Sequence, residues 1–185
     1  MPFVSRKFSC ELLAFVLGLF CAFGALVPAH AQTYTDLHDF NAAAGDPTNF
    51  NSGRLAQARD GNFYTESRSG GSSGQGAVFN VSPSGTVSTI FSFDVTTGAV
   101  ATGGITLGPS DGELYGDTLQ GGTSGDGVTF KITTSGTFTA LHNFTNTGDG
   151  AGPVNALVVG SNGDFYGLTA TNPETFYSVT SAGKL

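Results

Sequence analysis

Beyond residue 33 the chain is built from short alternating segments. Val128, Phe130 and Ile132 alternate with Thr129, Lys131 and Thr133. A period of two is the pattern of a half-buried strand. The surrounding residues predict three more strands. Residues 104–107 are apolar, and Pro109-Ser110-Asp111-Gly112 has turn chemistry. Residues 113–119 read as the second strand. A glycine loop over 121–127 leads into the alternating segment, Ser135-Gly136 turns the chain, and 138–144 is the fourth strand. Asp-Gly between apolar residues predicts a type I′ hairpin turn, in which both central residues have positive φ. No window carries a 3.6-residue apolar period, so no helix is expected in this region.

This unit recurs. Asp60-Gly61-Asn62-Phe63-Tyr64, Asp111-Gly112-Glu113-Leu114-Tyr115 and Asn162-Gly163-Asp164-Phe165-Tyr166 stand 51 residues apart. The glycine loop from Gly70 matches the one from Gly121 at the same spacing, and Phe79 matches Phe130. Leu37-His38-Asp39-Phe40, Ile90-Phe91-Ser92-Phe93 and Leu141-His142-Asn143-Phe144 make a further series. Four antiparallel strands in each 40–50 residues is the spacing of a β-propeller blade. A lone sheet of this kind cannot bury both faces, so successive blades must stack. The expected fold is all-β, with three four-stranded blades of about 51 residues, in units of about 34–84, 85–136 and 137–185. The opening segment, 34–40, matches a fourth strand, and 175–181 matches a third. Propellers usually have four to eight blades. The expectation is therefore an incomplete propeller or one closed by a homo-oligomer. The aromatic positions Phe63, Tyr64, Tyr115, Phe165, Tyr166 and Tyr177 are expected to be blade-to-blade packing.

The first thirty-one residues read as an address. Arg6 and Lys7 precede an apolar run over 12–27, and Ala29 and Ala31 fit an A-x-A cleavage site. That is the pattern of a secretory signal peptide, with a repeat domain over 32–185. The run is shorter than the ~20 residues of a spanning helix, and no second apolar run follows. No membrane span is therefore expected after cleavage. Both cysteines, Cys10 and Cys21, fall inside the leader, so the mature chain must be stabilised by burial, without disulfides.

Charge narrows the partners. The chain has a net charge of −7, and only 11% of its residues are charged, less than half the usual share. Nucleic acid requires a basic footprint that is missing here. A neutral glycan or a surface protein suits the Ser/Thr/Gly-rich loops better.

Candidate chemistry is sparse. Residues 121–128 nearly fit a calcium-binding nonapeptide, but Ser124 replaces a glycine and Gln75 stands where Asp126 would be repeated. A glycine-rich turn is the expected reading, with no metal and no cofactor. His38 and His142 share one repeat position, where Ser92 stands in the second copy, and read as surface residues. The Asp of each Asp-Gly turn is a turn residue. No catalytic residue is expected.

The sequence DGNFY, then GG-x-x-G-x-G, then VF-x-(V/I)-x-P-x-G-T, then a strand ending in Phe, resembles the Gloeobacter/Verrucomicrobia (GloVer) tandem β-propeller repeat of secreted, choice-of-anchor bacterial proteins. The resemblance covers residues 34–185. It implies a bacterial protein that is extracellular, periplasmic or at the cell surface, acting as a structural or binding module without enzymatic activity. Two departures stand out. Members usually carry more than three repeats, and Thr169-Ala170-Thr171-Asn172-Pro173 replaces the third glycine loop. The phrase Asp60-Gly61-Asn62-Phe63-Tyr64-Thr65-Glu66 is also similar to the blade motif of streptogramin-lyase-like propellers. That likeness implies the alternative, a metal-dependent enzyme. Glu66 becomes Asp117 and Leu168 in the later units.

Overall fold

A computed structural model of the chain describes residues 33–50, 54–171 and 173–185. The expected signal peptide lies outside the described residues, as does Asn172 of the third loop. Residues Asp36–Leu185 form one unit, made of three antiparallel sheets. The first holds β1 (Ala56–Gln57), β2 (Phe63–Ser67), β3 (Ala77–Val81) and β4 (Val87–Ser92) in sequential order. The second holds β5 (Ala99–Ala101), β6 (Thr106–Leu107), β7 (Leu114–Gln120), β8 (Val128–Ile132) and β9 (Phe138–Asn143). The third holds β10 (Pro153–Val159), β11 (Phe165–Thr169) and β12 (Phe176–Val179). The one helical element among the described residues is a 3₁₀ turn at Ala42–Ala44. The fold is the all-β, propeller-type repeat that the alternation predicts.

Register shows the repeat to be structural. Phe79 pairs Thr65, Phe130 pairs Gly116 and Tyr177 pairs Gly167, each between second and third strands of its own sheet. Between sheets the contacts also recur. An edge-on ring contact joins Phe93 to Phe130 at 5.3 Å and Phe144 to Tyr177 at 5.1 Å. The core accordingly lies between sheets. Tyr64, Val78 and Phe93 cluster with Ile105, Leu114, Phe130 and Ile132. Tyr115 and Phe144 cluster with Leu157, Phe165, Tyr177 and Val179.

Three expectations are corrected. Residues 34–40 form no strand among the described residues. The part from Asp36 still occupies a fourth-strand place: Phe40 meets Phe79 edge-on at 5.8 Å, and Phe93 meets Phe130 in the same way at 5.3 Å. The Asp-Gly turn is not type I′. Gly112 has φ +71°, whereas Asp111 is not in the left-handed region. Gly108 N–H donates to the Glu113 carbonyl at 2.8 Å, so the loop is longer than two residues. The single positive φ at its end falls on glycine, the residue that carries it without a Cβ penalty. The third correction concerns the innermost strand of the second sheet. It is split into β5 and β6, since Gly103 and Gly104 leave the ladder to approach Asn155 of β10 and Arg54, which precedes β1 and forms an isolated bridge with Gly104.

Candidate functional site

One face of the second strand distinguishes the three copies. In β2, β7 and β11 the face carries Tyr64 and Glu66, Tyr115 and Asp117, and Tyr166 and Leu168. Residues two apart in a strand share a face. Tyr64 and Tyr115 are fully buried against the next sheet, and Tyr115 stacks on Phe165 at 3.8 Å. Their hydroxyls return to the turn. Tyr64 Oη donates to Asp60 and Tyr115 Oη donates to Asp111, both at 2.6 Å. In the third copy Asn162 Nδ2 donates to Tyr166 Oη at 3.0 Å. The turn residues Asp60 and Asp111 thus anchor the buried phenols, while Gly61, Gly112 and Gly163 supply the positive φ that closes each turn.

Glu66 and Asp117 are buried carboxyls at sheet boundaries. Glu66 Oε1 accepts from Gly103 N–H at 2.9 Å and Gly104 N–H at 2.7 Å. Its Oε2 has no hydrogen-bond partner among the described residues. Asp117 is better served: Thr129 Oγ1 donates to Oδ1 at 2.5 Å, and Tyr177 Oη donates to Oδ2 at 3.0 Å. The difference is two residues: Val78 pairs Glu66 where Thr129 pairs Asp117, and an isopropyl group has no hydroxyl to offer. Phe130 occupies, at the first boundary, the repeat position that Tyr177 occupies at the second, and a phenyl ring has no hydroxyl to offer. Burial pushes the Glu66 carboxyl up to about 8, with the nearby Asp117 adding to the rise. Burial raises Asp117 to about 7, partly offset by its two hydroxyl donors. These acids act across boundaries between sheets, a role the sequence reading did not assign.

The third copy presents the same face to solvent. Leu168 is 47% exposed, Val158 55% and Phe176 73%. Tyr166 stacks on Phe176 at 5.7 Å. Val154, Asn155, Val158, Tyr166, Leu168 and Phe176 border an open cavity of about 750 Å³ whose lining holds no carboxylate and no cation. At the opposite end of the stack, Leu37, Phe40, Phe50, Leu55, Phe63 and Phe79 line a smaller groove of about 270 Å³. Both end faces are apolar.

His38 and His142 are half-buried, not free surface residues. Each Nε2 sits 3.0 Å from a carboxylate, Asp46 or Asp149, and each ring meets the phenylalanine two residues on, Phe40 or Phe144. Strand pairing puts Phe91, not Ser92, at their position. Phe91 pairs Val78 as His142 pairs Thr129, and Ser92 corresponds to Asn143. Ser92 Oγ and Asn143 Oδ1 accept matching backbone bonds from Ser72 and Thr123. Among the described residues no group of three or more His, Cys, Asp or Glu side chains is arranged to hold a metal ion.

Similar solved structures include a streptogramin B lyase (16% identity, TM-score 0.42) and a catalytically inactive virginiamycin B lyase from Staphylococcus aureus with quinupristin (15%, 0.43). Each match covers 69% of this chain and 41% of the other, so the chain spans about two fifths of the length of these lyases. No curated protein matches the chain. The 51-residue sequence period, the sheet that each period forms and the contacts repeated at both internal boundaries coincide with a family model matched over residues 23–180, and the chain belongs to the Gloeobacter/Verrucomicrobia repeat family.

Proposed function

We propose that this protein is a secreted or surface-associated structural module that binds protein through the uncovered end faces of its sheet stack. The observation that carries this reading is the exposure of Leu168, Val158 and Phe176, at and around positions that the first two copies bury. Large contiguous apolar surface on a folded domain marks an interaction site. The lining favours protein over glycan. Apolar side chains outnumber its amide and hydroxyl groups, and no charged group could orient a sugar. A sheet edge beside the patch also adds backbone donors and acceptors suited to a strand.

Secretion rests on the leader pattern over residues 1–31, and intact mass of the exported protein is expected to begin at Gln32. The alternative, a metal-dependent lyase-like enzyme, has less support. Glu66 and Asp117, which occupy the motif position, are engaged in holding sheets together.

The test uses a convenience of composition. Residues 32–185 contain no cysteine, so Phe176→Cys introduces a sole thiol on the face. In its working state at the cell surface or in the medium that thiol is expected to react with maleimide much more slowly than in dilute purified protein. Reaction in both states as fast as that of the urea-unfolded protein would overturn the reading.

A further inference from the structure

The two end faces are complementary to each other. We propose that two copies of this chain close head to tail into a ring of six sheets, the third sheet of each packing on the first sheet of the other. The inference rests on the reading that these faces bind protein, and it names the partner.

Three observations converge. The first is chemical matching across the repeat. At the second boundary Asp117 receives a hydrogen bond from Tyr177. The end-face counterparts of that pair are Leu168 and Phe79, both apolar. Phe79 is flanked by Phe40 and Phe50, with ring centroids 5.8 and 5.5 Å away. A leucine opposite this aromatic group needs no hydrogen-bond partner. Both sides of this joint are thus apolar, whereas the first boundary sets Glu66 opposite Phe130 and leaves its Oε2 without a donor among the described residues.

The second observation is the strand edge. Among the described residues no strand pairs with the outer edge of β12, where β3 has β4 and β8 has β9. Residues 36–40 belong to no strand and pair with none among the described residues. They already sit on the first sheet as a fourth strand from a preceding sheet would. The Leu37 carbonyl lies over Gly85 as the Ile90 carbonyl lies over Gly136 and the Leu141 carbonyl over Gly183. When the first sheet of one copy docks on the third sheet of the other, residues 36–40 lie beside the free edge of β12. The repeat register puts His38 opposite Phe176 of the other copy, as His142 is opposite Thr129. An added strand satisfies an exposed edge, which is otherwise a liability.

The third observation is number. The described residues of each chain supply three sheets, and closed propellers typically have four to eight. Two copies give six; three copies would exceed the range. Heterologous faces form a ring when the rotation closes, and here each face is used once per chain.

Sedimentation or light scattering of the mature chain is expected to give twice the chain mass. Leu168→Asp with Phe176→Asp removes one face, and Leu55→Asp removes the other. All three side chains are substantially exposed, and far-UV circular dichroism checks that each variant folds. Each variant alone is expected at single-chain mass. Their equimolar mixture is expected to recover a dimer, because one intact joint remains between unlike copies. Leu168→Ser and Leu55→Ser serve as milder versions where an aspartate variant does not fold. A monomer at every concentration, a larger assembly, or a dimer that survives loss of one face would each overturn the two-copy ring. Protection of the Phe176→Cys thiol in a monomeric protein would overturn the ring and leave the binding reading standing. A monomer whose thiol is never protected would remove both.

Discussion

The Tyr177 hydroxyl donates to Asp117 across the boundary between the second and third sheets, and the two residues lie 60 positions apart in sequence. The bond joins a buried acid of one repeat to the third strand of the next. Removing one partner of a buried pair leaves the other unsatisfied, at a cost of about 1–3 kcal/mol. Tyr177→Phe is therefore expected to destabilise the protein by that amount. The loss should be larger at pH 9 than at pH 5, because ionised Asp117 needs the donor more than the protonated acid does. Chemical denaturation at the two pH values measures this. An equal loss at both would show that the hydroxyl contributes packing only.

Glu66 gives a pH dependence of definite sign. Its carboxyl ordinarily titrates at 4.5 and in the folded protein titrates at about 8. Between these values the folded state holds a proton that the unfolded chain has released. Stability therefore falls as pH rises through this window, by at most about 1.4 kcal/mol for each pH unit per group. Asp117 acts in the same direction between 3.8 and about 7. Glu66→Gln keeps an oxygen for the Gly103 and Gly104 N–H groups and cannot ionise. Its thermal midpoint is expected to match the parent below pH 4.5 and exceed it above pH 8. An unchanged slope in midpoint against pH would refute the assignment.

The strands were legible because alternation and the 51-residue period are local and repeated. The buried acids were not. Glu66 and Asp117 look like outward polar residues in an alternating strand, and the groups that satisfy Glu66 lie 37 and 38 residues away. The substitution series from Glu66 through Asp117 to Leu168 was visible in sequence, but its meaning depends on which sheet faces each residue. The histidines failed for a different reason. A one-residue offset made Ser92 their counterpart, although the series through Ile90-Phe91-Ser92-Phe93 already sets Phe91 beside them, as the ladder at Val78 and Thr129 does. The turn type was misread because Asp-Gly suits a longer loop with one left-handed glycine as well as a two-residue turn.

Asp111 tests the link between turn and core. It accepts from Tyr115 Oη and from Glu113 N–H at 3.1 Å. Asn162 holds the same position in the third copy and still bonds its tyrosine. Asp111→Asn is thus expected to cost little, whereas Asp111→Ala leaves the Tyr115 hydroxyl without its acceptor and costs about 1–2 kcal/mol. Urea midpoints of the two variants compare them directly. Equal losses would mean that the turn, not the phenol, is what Asp111 stabilises.

Two glycines with similar backbone angles separate conformational strain from contact between sheets. Gly125 has φ +86° and open space where a β-carbon would stand, while Gly136 has φ +91° and faces the Ile90 carbonyl of the preceding sheet. A left-handed alanine costs about 1–2 kcal/mol from backbone sterics alone. Gly125→Ala is expected to lose about that much. Gly136→Ala must in addition push the β8–β9 turn away from β4, opening the boundary packed by Phe93, Phe130 and Phe138. Its loss is expected to be at least about twice as large, since core misfit adds roughly 1–3 kcal/mol. Hydrogen exchange should show the added disturbance in β4 as well as in β8 and β9. If the two variants lose equal stability, or if β4 is unaffected, the carbonyl contact does not couple neighbouring repeats.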